Sequence, residues 1–343
     1  MLTERQSLIL QVIVDEFIET AQPIGSRNIA KKKQITYSPA TIRNDMADLE
    51  DSGYLSKTHS SSGRIPSEKG YRFYVDHIMS PLKLSQEEVS IIKGQFDERM
   101  IELEKVMQNS AHILSELTKY TTLVLGPEVY ETKLKQIQIV PINKQSAIAI
   151  LVTDTGHVEH RSFAIPSNVD QSDLEKVVNI LNEKLVGVPI IYLDQMIESE
   201  VVDLINRYTS NFEQSYRILQ QALFGSQSSS LYVSGKSNIL MQPEFSDIEK
   251  ARSLFNMMES EEQIAPILKA NKQGLNISIG HENQVEAMNN CTLITATYNM
   301  GEDQVGTIAL LGPTRMEYAK AVSLLDLWSS YMSQSLDSWF NEG

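Results

Sequence analysis

The sequence lacks the features of secreted and membrane-spanning proteins. It has one cysteine, Cys291, so no disulfide can form within the chain, and such usage is typical of a reducing cytosol. Its longest uninterrupted apolar run, residues 147–152, is far shorter than the roughly 20 residues that a transmembrane helix needs. The first residues are charged, and no apolar segment typical of a signal peptide follows them. We therefore expect a soluble, cytoplasmic protein that does not associate with membranes.

Motifs for catalysis and for metal binding are absent as well. His157 and His160 lie three positions apart in a predicted strand, where they point to opposite faces, so they do not resemble a pair of zinc ligands. The SGKS stretch at 234–237 has Ser230 where a phosphate-binding loop requires glycine. No serine occupies a G-x-S-x-G turn, and Cys291 begins a β-rich stretch, where a buried thiol is expected. The sequence thus predicts no enzyme, no cofactor and no metal site.

Basic charge is scarce over most of the chain but not over its first part. The net charge of the 343 residues is −14, yet residues 1–79 contain ten Lys or Arg and ten Asp or Glu. Residues 24–74 alone have nine basic and five acidic side chains. This asymmetry is expected when one domain binds a polyanion, although chance variation in short windows gives similar counts. The length predicts two or three domains, and 41% hydrophobic residues suffice for buried cores.

Three short helices are predicted near the start of the chain. A capping box at Thr3 opens the first, and Ser26 caps a second over 27–33. Ser38 is the N-cap of the third, which has proline at its first helical position and ends at Gly53. Apolar residues at helical spacing are expected to bury one stripe of this third helix against the first two.

Two short β segments are predicted to follow, at 54–58 and near 71–75, around a tip rich in serine and glycine. Three helices and a hairpin form the winged variant of the helix-turn-helix, in which the third helix enters the major groove of DNA. Its outward face would present Ala40, Thr41, Arg43 and Asn44 to the bases. Arginine pairs with guanine and asparagine with adenine, while the threonine methyl contacts thymine.

The remaining candidates for DNA contact are polar or small residues near the helix start and in the hairpin. Ser38 and the helix N-terminus suit a phosphate. In the hairpin, the candidates are Lys57, His59, Ser60, Gly63 and Arg64, with glycine permitting close approach and Arg64 reaching phosphate or the minor groove. The alternative is a solvated helix face on which Arg43 pairs with Asp48 or Glu50. The basic hairpin and the capped helix together favour DNA binding over that alternative.

Three stretches carry a resemblance to a known family. AQPIGSRNIAKK (21–32), SPATIRNDMADLEDSGYL (38–55) and SSSGRIPSEKGYRFYVDHI (60–78) resemble the HrcA heat-inducible transcription repressors of bacteria. The resemblance is dense over 1–79 and weaker, though continuous in layout, over the remainder. It implies a homodimeric repressor that binds an inverted-repeat operator of double-stranded DNA, the CIRCE element, upstream of chaperone operons. It also implies that the chaperonin GroEL keeps the repressor able to bind DNA. On heat stress, misfolded proteins would occupy GroEL, so that less of it is available to the repressor.

The same resemblance implies roles for individual residues. Ser38, Thr41, Arg43 and Asn44 fall on its recognition helix, whereas Gly63 and Arg64 fall on its wing.

Residues 82–119 are predicted to form a linker helix. Ser85 and Glu88 form a capping box at its start, and apolar residues recur at helical steps over roughly thirty positions. Packing on the helix's own domain and contact between subunits explain this stripe equally well.

Strands, a helical stretch and further strands then predict an α+β fold. The strands fall in 120–166 and 226–343, and the helices in 167–225, with further helices at about 246–258 and from Met316. The resemblance implies that the strands form one GAF-like domain and that the helices form an inserted dimerising domain. The predicted fold is therefore an N-terminal winged helix-turn-helix followed by a GAF-like α+β domain with an inserted helical dimerising subdomain.

Two other functions are compatible with this layout. A metabolite-responsive winged-helix repressor would hold an effector in the GAF-like domain, and a winged domain can also serve protein contacts. The polar residues of the GAF-like region fit turns and caps as well as a pocket, so the sequence has no positive sign of an effector. The charge asymmetry favours DNA over a protein partner.

Overall fold

The computed structural model describes residues 2–57, 63–96, 103–126, 133–143, 145–154, 158–165, 171–189, 192–209, 211–224, 231–269, 274–300 and 304–341. The chain divides into two compact units, one formed by Met1–Gly126 with Leu231–Gly343 and the other by Pro127–Ser230. Both units combine helices with antiparallel sheets, which confirms the predicted α+β class.

The first unit begins with three helices and a two-stranded ribbon. They are α1 (Glu4–Thr20), α2 (Ser26–Ile29), α3 (Pro39–Asp51), β1 (Leu55–Lys57) and β2 (Arg64–Pro66). The predicted caps at Thr3 and Ser38 are confirmed, since Thr3 and Gln6 form a capping box and the Ser38 hydroxyl accepts a hydrogen bond from the Thr41 amide at 3.1 Å. Both caps satisfy backbone amides that have no partner within a helix. The predicted cap at Ser26 is wrong, because α2 already begins at Ser26 and Gly25 occupies the N-cap position without a side-chain hydrogen bond.

The expectation of a strand near 71–75 is wrong, because this stretch is helical. Helix α4 (Glu68–Phe73) continues into a π-helical turn (Tyr74–Ile78). The Ser67 side chain caps its start, and Tyr71 and Tyr74, three positions apart, are both buried. The strand that pairs with β1 is β2, which lies closer to β1 in the sequence. We call residues 2–78 the head.

A five-stranded antiparallel sheet forms the centre of the rest of this unit. Its order is β7 (Leu231–Ser234), β3 (Thr121–Leu125), β10 (Gln304–Pro313), β9 (Cys291–Met300) and β8 (Leu275–Ile279). Helices α6 (Leu103–Thr118) and α14 (Tyr318–Asn341) cover one face, and α12 (Ile248–Glu259) and α13 (Glu261–Lys269) cover the other. We call this sheet, its four helices, α5 (Gln86–Gly94) and α11 (Lys236–Leu240) the sheet domain.

The predicted linker helix corresponds to α5 and α6 within the described residues. The capping box of Ser85 and Glu88 is confirmed. The apolar stripe packs within the chain: Ile92 and Leu114 are fully buried, and the Phe96 ring lies 5.9 Å from that of Trp328 on α14. Packing on its own domain therefore accounts for the stripe.

The second unit is a three-stranded meander with helices on one side. Its strands are β4 (Leu134–Asn143), β5 (Ser146–Thr153) and β6 (Val158–Ala164), and its helices are α7 (Gln171–Leu185), α8 (Leu193–Met196), α9 (Val202–Tyr208) and α10 (Phe212–Phe224). The sequence assigned these strands to the GAF-like region before 166. They instead share one core with the helices, as Ala149 and Leu151 do with Val177 and Leu181. A sheet with one apolar face must be covered by a neighbouring layer, and here the next helices provide it.

Candidate nucleic-acid interface

Helix α3 is held against the head by an apolar stripe that contains one carboxylate. Ile42 and Leu49 are fully buried, as the spacing predicts, and Met46 is nearly so. Asp45 lies on the same inward face, and the guanidinium of Arg5 on α1 binds both of its oxygens at 2.7 and 3.0 Å. The sequence analysis missed this pair, although an aspartate three positions after a buried isoleucine is a signal for it. The pair fixes α3 on α1.

The opposite face of α3 carries the predicted base-reading residues. Ala40, Arg43 and Asn44 are exposed, and Thr41 is half-buried. Among the described residues, neither Arg43 nor Asn44 has a hydrogen-bond or ion-pair partner, so the alternative pairing of Arg43 with Asp48 or Glu50 is not formed. The donors of both side chains are therefore available to a ligand.

Ser38 is exposed but already bonded. Besides accepting from the Thr41 amide, its hydroxyl oxygen lies 3.0 Å from the Thr41 hydroxyl oxygen. A hydroxyl still has a lone pair and a rotatable proton after capping. The first turn of α3 thus offers two hydroxyls and the Ala40 amide at the positive end of the helix dipole, which suits an anion, whereas Pro39 has no N–H and the Thr41 amide is bonded to Ser38.

Glu50 connects the ribbon to α3. Arg64 on β2 donates to its carboxylate through Nε at 2.7 Å, and the Lys57 ammonium on β1 lies 3.2 Å from it. Burial raises the pKa of Glu50, but the hydrogen bonds from Lys57 and Arg64 outweigh this and hold the pKa below its ordinary value. The Arg64 side chain is only 13% exposed, whereas that of Lys57 is 60% exposed. The structure therefore leaves Lys57 freer than Arg64 to meet a ligand.

Gly63 is required by packing inside the head. It is buried, and a Cβ there would lie 2.9 Å from the carbonyl carbon of Pro23. The next residue, Arg64, pairs with Ile24 through two backbone hydrogen bonds of 2.9 Å. The sequence analysis linked this glycine to close approach by DNA, but contact with the α1–α2 connection explains it. His59 and Ser60 lie outside the described residues.

Further cations extend the basic surface of the head. Arg27, Lys31 and Lys33 are exposed on α2 and the turn after it. None of these three has an ion-pair partner in the part of the chain that the structure describes, whereas Lys32 pairs with Glu16. Ammonium and guanidinium groups without carboxylate partners are the chemistry that binds phosphate. From the sequence, these residues were assigned to the second helix but not to phosphate binding.

The described residues give little indication of a metal site, a reactive cysteine or a membrane-spanning helix. No group of three or more His, Cys, Asp or Glu side chains there is placed to hold a metal ion. Burial raises the pKa of the Cys291 thiol to about 12, so this side chain stays protonated. None of the described helices has the length and hydropathy to cross a membrane. His157 lies outside the described residues.

Comparisons with known proteins cover nearly the whole chain. The family model described as "HrcA protein C terminal domain" matches residues 104–322. The "Heat-inducible transcription repressor HrcA" of Oceanobacillus iheyensis is 55% identical over 340 residues, which is 99% of either chain. A crystal structure of a protein described as hypothetical has a TM-score of 0.70 at 23% identity, covers 99% of this chain and 100% of that one, and shows a shared fold.

Proposed function

Because this chain belongs to the HrcA family of heat-inducible transcription repressors, we propose that it represses chaperone operons by binding an inverted-repeat operator, the CIRCE element, as a homodimer. The head acts as the winged helix-turn-helix, with α3 as recognition helix and β1–β2 as wing. The observation that carries the proposal is the exposed pair Arg43 and Asn44, whose donors have no partner among the described residues. Free side-chain donors on the first turns of a capped helix are what base recognition requires.

Each predicted contact has a chemical role in this proposal. Arg43 binds guanine, Asn44 binds adenine and Thr41 contacts a thymine methyl, while Ser38 and the Ala40 amide at the start of α3 bind a phosphate. Lys57 binds the DNA backbone beside the wing. Arg64 and Gly63 contribute mainly by holding the wing on Glu50 and Pro23. His59 and Ser60 remain candidates for contact at the wing tip.

The dimer is proposed to form through the second unit, whose sheet has an uncovered apolar face. Val140 and Ile142 on β4 and Val158 on β6 are 46%, 58% and 53% exposed. Half-buried Ile148 and Val152 on β5 lie opposite Val140 and Val158 and therefore on the same face. An exposed apolar surface of this kind marks an interaction site. A second copy related by two-fold symmetry would cover it and match an inverted repeat.

Heat induction is proposed to act through GroEL, which maintains the DNA-binding form. Heating would open the repressor and expose buried apolar surface, a state that a chaperonin binds. Operator binding after a heat pulse and recovery should then be higher with GroEL present. Equal recovery with and without the chaperonin would contradict this part of the proposal.

The base-reading role of α3 is tested by Arg43→Ala on a panel of single-base operator variants. We expect a loss of about 1–3 kcal/mol on the intact operator and a relaxed base preference at one position. Arg252→Ala is the matched control, since Arg252 is exposed on α12 and has no ion-pair partner among the described residues. If Arg43→Ala bound the panel as the unmodified protein does, α3 would not be the recognition helix.

A further inference from the structure

We infer that the sheet domain holds the head in one fixed orientation, and that Arg72 and Arg315 are the positioning residues that fix it. The inference rests on the proposed function in one respect: a fixed head narrows the range of spacings between operator half-sites that the dimer accepts. Neither residue lies on the outward face of α3. The contacts involve two elements of the head, α4 and α1.

Arg72 on α4 joins the head to the β8 end of the sheet. Its Nε donates to Glu282 at 2.8 Å, and its Nη2 donates to the Ile277 carbonyl at 2.6 Å. The Glu282 carboxylate also accepts from the Ile279 amide at 2.8 Å, so it is held on the sheet side. A planar guanidinium bound at several atoms fixes an angle as well as a distance. Arg72 therefore restrains how α4 is turned on the sheet domain.

Arg315 joins the sheet domain to α1. Its Nη1 donates to the Ile18 carbonyl at 2.7 Å, and its Nε donates to Glu244 at 2.8 Å. The Ile18 carbonyl lies in the last turn of α1, where carbonyl oxygens receive no hydrogen bond from within the helix. The helix dipole also favours a positive charge at this end. The Arg315 side chain is only 12% exposed. Because Arg315 binds a different helix of the head from the one that carries Arg72, it opposes rotation of the head about α4.

Buried aromatic rings lie between these two arginines. Tyr71 and Tyr74 of the head contact Tyr318 of α14, with ring centroids 5.9 and 6.5 Å apart. The three tyrosines are 3%, 8% and 1% exposed, respectively. One apolar cluster extends through this contact from Ile9 of α1 to Trp328 of α14. Detaching the head would expose this shared core, so the hydrophobic effect and the two arginines favour the same orientation.

A third polar contact strengthens the same junction. Glu68 at the start of α4 lies 2.8 Å from Nδ1 of His281 and also accepts from the His281 amide at 3.3 Å. A Cβ at Gly280 would lie 2.1 Å from the Glu68 carboxylate, so only glycine permits this approach.

A fixed head has a measurable consequence for operator choice. In a dimer, heads fixed on their sheet domains limit the distances and rotations available between the two recognition helices, so fewer half-site separations fit both. Adding about half a turn of DNA, roughly 5 bp, would turn one half-site to the far side of the duplex. A head on a flexible connection would tolerate such changes.

The DNA experiment compares the unmodified protein with Arg72→Ala, Arg315→Ala and the milder Glu282→Gln, with Arg252→Ala as control. Each is titrated on a single half-site and on inverted repeats with shortened, native and lengthened spacers. We expect the half-site affinity of every variant to stay within about twofold of the unmodified protein. The ratio of the Kd on altered spacers to the Kd on the native spacer should be at least threefold smaller in Arg72→Ala, Arg315→Ala and Glu282→Gln. A spacing profile as sharp as that of the unmodified protein in all three would overturn the inference.

A second measurement needs no DNA and so separates this inference from the proposed function. Spin labels are attached at Gln34→Cys in the head and Lys250→Cys on α12, both exposed, while Cys291 is buried and stays unlabelled. Pulsed dipolar spectroscopy is recorded with excess unlabelled protein. We expect a narrow distance distribution that broadens in Arg72→Ala/Arg315→Ala. A broad distribution before substitution, or an unchanged one after it, would overturn the fixed head, whereas equal binding to repeat and scrambled DNA would overturn the proposed function.

Discussion

At the scale of single residues, the side chains that organise the interface are carboxylates rather than the basic residues that would touch DNA. Glu50 binds both wing cations, and Asp45 binds Arg5 across α1 and α3. The spacing of Asp45 from Ile42 indicates an inward-facing carboxylate, but partners elsewhere in the chain leave no local pattern, so the sequence could not identify which cations Asp45 and Glu50 bind. It did identify Arg43 and Asn44, because an apolar stripe at helical spacing determines which residues face outward.

The lowered pKa of Glu50 predicts a pH-dependent contribution to the stability of the head. The folded pKa of Glu50 lies below its ordinary value, so the stabilisation is complete above the unfolded pKa and is lost as pH falls through the folded pKa. We expect Glu50→Gln to have a lower Tm than the unmodified protein at neutral pH. This difference in Tm should become smaller below about pH 4. Thermal unfolding between neutral and acidic pH measures this. A constant difference in Tm across the range would show that the charge of Glu50 contributes nothing.

At the scale of elements, three of the four caps named from the sequence could be predicted and the wing strand could not. Caps at Thr3, Ser38 and Ser85 depend on residues within one turn, so their signals are local. The stretch 71–75 is rich in aromatic and β-branched residues, as strands are, yet it forms a helix because Tyr71 and Tyr74 are both buried against Tyr318. Helix α13 was missed since Pro266 lies inside it.

The close packing of α4 within the head predicts that Gly70→Ala strongly lowers stability. A Cβ at Gly70 would lie 2.2 Å from the Tyr54 carbonyl oxygen, a backbone atom that cannot move without disturbing the ribbon. We expect a loss of about 1–3 kcal/mol in the free energy of unfolding, measured by denaturant titration. Gly94→Ala in α5 is the matched control, because its Cβ would meet no atom within 4 Å. Comparable losses in both variants would contradict the packing argument.

At the scale of the whole molecule, the order of strands and helices could be predicted, but their grouping could not. The three strands between 134 and 164 were assigned to the GAF-like region, whereas they share a core with α7, α9 and α10. The head and the sheet domain were expected as separate domains, but one apolar cluster runs through both. Which apolar faces meet depends on long-range packing, which periodicity does not specify.

The uncovered sheet face of the second unit predicts an effect of Val140→Glu on assembly. A buried carboxylate in a dimer interface is strongly unfavourable, so we expect at least a tenfold weaker dimer by sedimentation. Binding to an inverted repeat should fall with it, while binding to a single half-site stays the same. Ile248→Glu is the control, since Ile248 is 79% exposed on the sheet domain and tolerates a charge. An unchanged dimer in Val140→Glu would place the interface elsewhere.

The measurement that tests the central claim most directly is a titration of the purified protein on a labelled inverted-repeat duplex and on a scrambled duplex over a series of salt concentrations. We predict tighter binding to the repeat, with an affinity that falls linearly with the logarithm of salt because phosphate-bound cations are released. Equal and weak binding to both duplexes, in the presence of GroEL as well as in its absence, would contradict a sequence-specific repressor.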